Sequence, residues 1–171
     1  MKRRGSVVLA GLIGAALLLA LGLPAAQAAC TDTPQPGVDW RRCLLDNRNF
    51  VDVDLAGATL REGFFARSDL TGADFSAVDG RRAKFTDAVL EDTSWAGARL
   101  IGTDFTKSDL SGASFEGADL RRARFFRADL RGVDFTGARL DGTDFLKADL
   151  SGAIWIDGNK VCAEGSSGQC N

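Results

Sequence analysis

The sequence predicts an all-β solenoid, a chain wound into stacked coils, and a period of five residues is the main reason. A large apolar residue occupies every fifth position from Phe50 to Trp155, with Gly80 as the one exception. The residue two positions before each of these is small or β-branched, except for Arg48. Neither a helix, with about 3.6 residues per turn, nor a plain strand explains this spacing. Each unit therefore buries its apolar side only against neighbouring units.

The other positions of the unit also recur. Asp often precedes the large apolar residue, as at Asp104 and Asp134, and Gly often follows it two positions later, as at Gly72 and Gly112. Glycine there suits a corner at which φ turns positive. Because the Asp residues share one repeat position, we expect them to serve the scaffold or its solvation.

Several blocks carry a consensus. Residues 117–121 read Gly-Ala-Asp-Leu-Arg, residues 127–131 read Arg-Ala-Asp-Leu-Arg, and residues 147–151 read Lys-Ala-Asp-Leu-Ser. These blocks closely resemble the pentapeptide-repeat family, whose consensus is Ala-Asp/Asn-Leu-x-x, and the resemblance covers residues 48–157. The resemblance implies a right-handed quadrilateral β-helix, with four pentapeptides to a coil.

The alternation of Leu with aromatic residues independently supports a coil of twenty residues. From Leu60 onward, the apolar positions numbered in tens are Leu apart from Gly80, and those between are Phe or Trp. Coils stacked about 4.8 Å apart would bring the rings into favourable contact. Because Gly80 lacks a side chain, a void or a local bulge is expected there. The two predicted interior columns are Phe65, Phe85, Phe105, Phe125 and Phe145, and Phe75, Trp95, Phe115, Phe135 and Trp155.

Both ends of the chain differ from the repeat. Residues 1–28 read as a secretory signal, with basic residues at 2–4, an apolar run and the cleavage pattern Ala-Gln-Ala at 26–28. A transmembrane anchor and a lipid anchor at Cys30 are the alternatives. We expect an exported mature protein, periplasmic or extracellular, without a membrane span. The predicted segments are a signal peptide (1–28), an N-terminal cap (29–47), a β-helix of about five and a half coils (48–157) and a C-terminal cap (158–171).

The four cysteines lie outside the repeat, Cys30 and Cys43 before it and Cys162 and Cys170 after it. An even number in an exported chain favours disulfides. Pairing within each end is the simplest of three connectivities, and it would close the caps that protect a solenoid from end-to-end growth. Trp40 is a candidate lid at the N-terminal end. Zinc is not expected, because the chain has no His and no Cys-x-x-Cys pair.

Charge is distributed unevenly around the predicted coil. Without residues 1–28 the chain has 18 basic and 23 acidic residues, a net charge of −5. The two faces centred on Leu60 and Phe65, here called the basic half, hold 13 basic and 7 acidic residues. The faces centred on Leu70 and Phe75, here called the acidic half, hold 2 basic and 12 acidic residues.

Outward apolar residues on the basic half mark a candidate partner-binding patch. The coil length places Phe126 beneath Leu146 and Arg127 beneath Lys147. Aromatic and Arg side chains together are typical of protein interfaces, and a positive field steers anionic partners. The alternative is that these stacked side chains serve only packing and solubility. The candidate patch consists of Arg122, Arg124, Phe126, Arg127, Leu146 and Lys147.

The sequence contains no recognisable catalytic machinery. It has no His, its cysteines are expected to be oxidised, and no Gly-rich phosphate loop joins a strand to a helix. We therefore expect a non-enzymatic protein without a cofactor or a metal.

These observations favour an exported structural or interaction module. Its partner is expected to be an unidentified protein or an anionic envelope component, and nucleic acid is not expected at a sequence pI of 5.2. The resemblance offers an alternative, a DNA-mimicking binder of the type II topoisomerase gyrase. The opposite charges of the two halves offer a third function, in which a monomer self-associates weakly and salt-sensitively.

Overall fold

The structure, a computed structural model, describes residues 29–171. The predicted signal peptide, residues 1–28, lies outside the described residues. Within residues 29–171 the one helix is a 3-10 helix, Ala29–Thr31. No helix in this part of the chain is both long and apolar enough to cross a bilayer.

Parallel β-bridges at every fifth residue join the coils of the solenoid. The first bridge joins Asp39 to Thr59 and the last joins Asp134 to Ile154, and each partner lies twenty positions further along the chain. The pairing consists of isolated bridges, because a corner interrupts the extended backbone every five residues. The predicted twenty-residue coil is confirmed, with four faces in each turn.

Corners between faces bring the second residue after each ladder position from Trp40 to Leu150 into the left-handed region. Glycine occupies many of these corners, such as Gly102 with φ of 69°, as expected. Other corners hold a side chain at similar φ, including Asp92 at 55° and Arg82 at 59°. The Arg82 N–H donates to the Ile101 carbonyl in the next coil at 3.2 Å. Bonding between coils therefore holds a conformation that L-residues otherwise avoid.

The recurring Asp side chains stabilise the corners by hydrogen bonds to the backbone. Oδ1 of Asp74 accepts the backbone N–H of Ser76 at 2.8 Å, and Oδ1 of Asp104 accepts that of Thr106 at 3.0 Å. Such a bond holds the turn locally, as Asx-turns do. The expected scaffold role of these carboxylates is confirmed.

Two aromatic columns fill the interior. In the first, Phe125 stacks 5.0 Å from Phe105 and 5.4 Å from Phe145. Edge-on contacts join this column to the second, as between Phe125 and Phe115 at 5.8 Å. The column prediction is therefore confirmed, although Trp155 meets its neighbour edge-on at 71°.

The break in the apolar ladder at Gly80 leaves neither a bulge nor the expected open space. Bridges from Asp79 to Thr59 and to Arg99 keep their register. A Cβ atom on Gly80 would lie 2.8 Å from Cδ2 of Leu100, which already occupies that direction. The expectation of a void or bulge was wrong, because the side chain in the next coil packs over the glycine.

At the N-terminal end, coil pairing already includes residues assigned to the cap, 29–47. Trp40 and Leu45 continue the five-residue ladder, and both are buried. The Trp40 ring lies 5.4 Å from Phe50 and closes the end of the aromatic core. The predicted Cys30–Cys43 disulfide ties the preceding segment to this first coil.

The C-terminal tail folds back along the end of the last coil and pairs with two of its faces. It forms antiparallel bridges from Asp149 to Ser167 and from Ile154 to Val161, and the predicted Cys162–Cys170 disulfide closes it. Because those positions would otherwise pair with a further coil, the tail takes the place of that coil on two faces.

Candidate functional site

The structure brings the six residues of the candidate patch together on two successive coils. A hydrogen bond of 3.1 Å from the Arg127 N–H to the Leu146 carbonyl joins these coils beside the patch. Leu146 is 58% exposed, and the Phe126 side chain is half-buried. Arg122 and Lys147 occupy exposed corners. The patch is thus a contiguous apolar surface with a cationic border.

The positive charge of this patch is partly neutralised. Nη1 of Arg124 lies 3.9 Å from Asp104, and its Nε lies 4.0 Å from Asp144. One guanidinium therefore faces two carboxylates. The Arg127 guanidinium lies 5.2 Å from the ring centroid of Phe126, within the range of a cation–π contact.

On the face centred on Leu60, here called the Leu60 face, each carboxylate faces two guanidiniums, whereas in the patch one guanidinium faces two carboxylates. The Asp79 carboxylate accepts a hydrogen bond of 2.8 Å from Nε of Arg61. It also accepts hydrogen bonds from Nε and Nη2 of Arg81, each of 2.8 Å. Glu62 lies 2.9 Å from Arg42 and 3.9 Å from Arg82. Each carboxylate is therefore shared between two guanidiniums, which leaves an excess of positive charge.

The same arrangement recurs two coils later on this face. Asp119 lies 2.7 Å from Arg121 and 3.8 Å from Arg139. Sequence reasoning placed these arginines on the basic half but did not single out their face. Consecutive arginines occur at 81–82 and again at 121–122, two coils later at the same corner. This repetition in the sequence could have identified the face.

A groove with a volume of about 350 Å³ opens on the Leu60 face. It is lined by Arg61, Glu62, Arg81, Arg82 and Ile101. Ile101 follows Arg81 at the same position of the next coil, so an apolar side chain lies beside the cationic group. The groove is shallow and charged, unlike the enclosed apolar pocket typical of small-molecule sites.

Carboxylates dominate the acidic half. There the Arg131 side chain donates hydrogen bonds to Asp129 and holds the pKa of that carboxyl below its ordinary value of 3.8. At Glu91 the neighbouring charge of Asp109 is the main reason that the pKa lies above its ordinary value of 4.5, with smaller effects from burial and Asp92. This half of the surface therefore repels anions.

The side chains of the candidate site are arginine, lysine, carboxylate and apolar groups. The chain has no His, and its four cysteines are joined in two disulfides. Residues 29–171 contain no group of three or more acidic, Cys or His side chains placed to hold a metal ion. Arginine, carboxylate and apolar side chains on a regular surface are suited to contact with another macromolecule.

Among solved structures, the chain is similar to HetL, a pentapeptide repeat protein involved in heterocyst differentiation regulation from the cyanobacterium Nostoc sp. strain PCC 7120. The two are 29% identical with a TM-score of 0.53, and the match covers 72% of this chain and 62% of HetL. This chain therefore spans less than two thirds of the length of HetL.

Two further structures are similar at lower identity. A pentapeptide repeat protein from the Arabidopsis thaliana thylakoid lumen is 24% identical with a TM-score of 0.45, over 72% of this chain and 83% of that protein. A trypsin-treated variant of QnrB1, a plasmid-mediated fluoroquinolone resistance protein, is 24% identical with a TM-score of 0.47. The match covers 67% of this chain and 66% of the QnrB1 chain. A comparison with curated protein sequences gave no match.

The family model described as pentapeptide repeats matches 8 copies, over residues 49–79, 83–122 and 118–154. Proteins of this family are in general structural or interaction modules rather than enzymes. Their fold is a right-handed β-helical solenoid, in agreement with the coils described above. Because the match covers more than half of its length, the chain belongs to the pentapeptide repeat family.

Proposed function

We propose that this protein is an exported, non-enzymatic interaction module, a rigid β-helix that presents its basic half to a protein or an anionic envelope partner. The observation that carries the proposal is the unbroken series of parallel bridges from Asp39 to Ile154. It holds the outward side chains of successive coils at fixed positions relative to one another. A preorganised surface loses little conformational entropy on binding.

The ends of the chain support this role. We propose a signal peptide at 1–28, an N-terminal cap at 29–47, a β-helix of about five and a half coils at 48–157 and a C-terminal cap at 158–171. Disulfides persist in oxidising compartments, and both disulfides of this chain lie at its ends. The tail covers the edge of two faces of the last coil, which opposes end-to-end association.

Intact mass spectrometry and cell fractionation of the native protein test the proposal. We expect a periplasmic or secreted chain that begins at Ala29 and is lighter than its reduced form by the four hydrogens of two disulfides. A full-length, reduced chain in the cytoplasm would contradict export. That outcome would make gyrase inhibition, the function suggested by family resemblance, the next assay.

The candidate patch gives a second test, by substitution of its apolar residues. We expect Phe126→Ser together with Leu146→Ser to weaken binding to the native partner by about tenfold or more, because buried apolar anchors dominate interfaces. The measurement is quantitative chemical crosslinking in the envelope fraction. Val89→Ser, an exposed apolar residue on the acidic half, is the control and should leave the crosslinked yield unchanged. An equal loss of crosslinked yield in the double variant and in the Val89→Ser control would contradict a binding role for the patch.

A further inference from the structure

We propose that the groove on the Leu60 face binds an extended acidic segment of a partner protein. The inference rests on the proposed role as an interaction module, but it assigns a second surface, which shares only Arg122 with the candidate patch, and the chemistry of its ligand. Its central residues are Arg61, Arg81, Arg82 and Ile101, all lining the groove.

The Leu60 face carries an excess of positive charge around the groove. Asp79 and Glu62 are each shared by two arginines, so two internal carboxylates face four guanidiniums. Arg82 is 78% exposed, and its contact with Glu62 is long, at 3.9 Å. Its planar donors therefore remain available to an incoming carboxylate, and Arg recognises that group through paired hydrogen bonds.

The corner beside the groove, which begins at the groove residue Arg82, supports the proposal by its shape. The corner ladder runs Arg82, Gly102, Arg122, and a Cβ atom on Gly102 would meet nothing closer than Cγ of Arg82 at 3.9 Å. The missing side chain leaves a notch between two arginines that are two coils, about 9.6 Å, apart. A single extended chain, about 4.8 Å from its neighbours in a sheet, is of a size to lie across that notch.

The chemistry beside the notch favours a peptide over a sulfated or phosphorylated polymer. Ile101 provides an apolar surface next to the guanidiniums of Arg81 and Arg82. An extended peptide places successive side chains on opposite faces, so carboxylates and apolar groups can alternate along it. A uniformly charged polyanion has no group that gains from contact with the Ile101 side chain.

Fluorescence anisotropy with the natively purified, oxidised protein tests the proposal. The probe is a short fluorescent peptide in which Glu and Asp alternate with Leu, compared with the same peptide carrying Gln and Asn. We expect the acidic peptide to bind at least about tenfold more tightly, with an affinity that falls as salt is added.

Gly102→Asp is the decisive variant. The backbone tolerates it, because Asp52, Asp87 and Asp92 occupy equivalent corners with φ of 55°. It places a carboxylate in the notch and should weaken peptide binding by about tenfold or more. Gly117→Asp is the matched control: it makes the same charge change at a corner of the acidic half, where a Cβ atom meets nothing within 4 Å. It should alter the affinity by less than about twofold.

Arg82→Gln is the second variant, which keeps the test decisive if Gly102→Asp unfolds. It should reproduce the loss of binding with an unchanged circular dichroism spectrum. Equal binding of the acidic and amide peptides, equal losses from the two glycine variants, or tighter binding of a heparin fragment than of the acidic peptide would each overturn the proposal. None of these outcomes bears on export, which the intact mass tests separately.

Discussion

Replacing Phe125 with Ala should lower the free energy of unfolding by about 3 to 5 kcal/mol. The side chain is fully buried in the first aromatic column, with Phe105 at 5.0 Å and Phe145 at 5.4 Å. Edge-on contacts with Phe115 at 5.8 Å and Phe135 at 6.3 Å join it to the second column. Stacked coils cannot collapse around the cavity without breaking their bridges, so little of the loss is recovered. Denaturant unfolding followed by circular dichroism measures the change.

Leu146→Ala is the control for this prediction. Leu146 is an apolar residue 58% exposed, and its truncation should change the free energy by less than about 0.5 kcal/mol. If Phe125→Ala and Leu146→Ala shift the unfolding midpoint equally, the aromatic columns do not dominate the stability of this solenoid.

Replacing Cys30 and Cys43 together with Ala should lower the free energy of unfolding by about 2 to 3 kcal/mol. The disulfide closes a loop with a sequence separation of 13, and its removal gives the unfolded chain more conformational freedom. Cys43 occupies the small inward position that Ala holds in many other repeats, such as Ala83. Alanine therefore fits the site, and the variant isolates the effect of the disulfide. Thermal and denaturant unfolding under non-reducing conditions measure the loss.

Cys162→Ala with Cys170→Ala is the comparison for the N-terminal pair. Its loop has a sequence separation of 8, so the chain-entropy model gives a slightly smaller loss. Because this tail pairs with the last coil through Asp149 and Ile154, its release should also raise self-association, measured by sedimentation velocity. No change in stability for either double variant would contradict a stabilising role for the caps.

The two proposed surfaces differ in how their charge is compensated. In the candidate patch, Arg124 lies between Asp104 and Asp144, and Arg122, Arg127 and Lys147 are exposed. On the Leu60 face the carboxylates are outnumbered by arginines, and an anionic ligand would restore the balance.

The fold could be predicted far better than the candidate site. The alternation of Leu with Phe and Trp was sufficient to assign Phe125 to its column, because the interior follows the repeat strictly. Gly80 was misjudged, since its environment depends on Leu100, which packs over it in the next coil. The notch beside the groove was missed for a similar reason, because it forms only where Gly102 stacks between Arg82 and Arg122.

The sequence by itself determined the period, the interior columns and the division into a basic and an acidic half. The period follows from the five-residue unit, and the columns and halves follow from each residue's position in the twenty-residue coil. The tertiary structure decided which charges are paired. Asp79 meets Arg61 only after the coil closes and brings residues eighteen positions apart to 2.8 Å. Side-chain geometry between coils, which local sequence does not encode, thus decided where positive charge remains in excess.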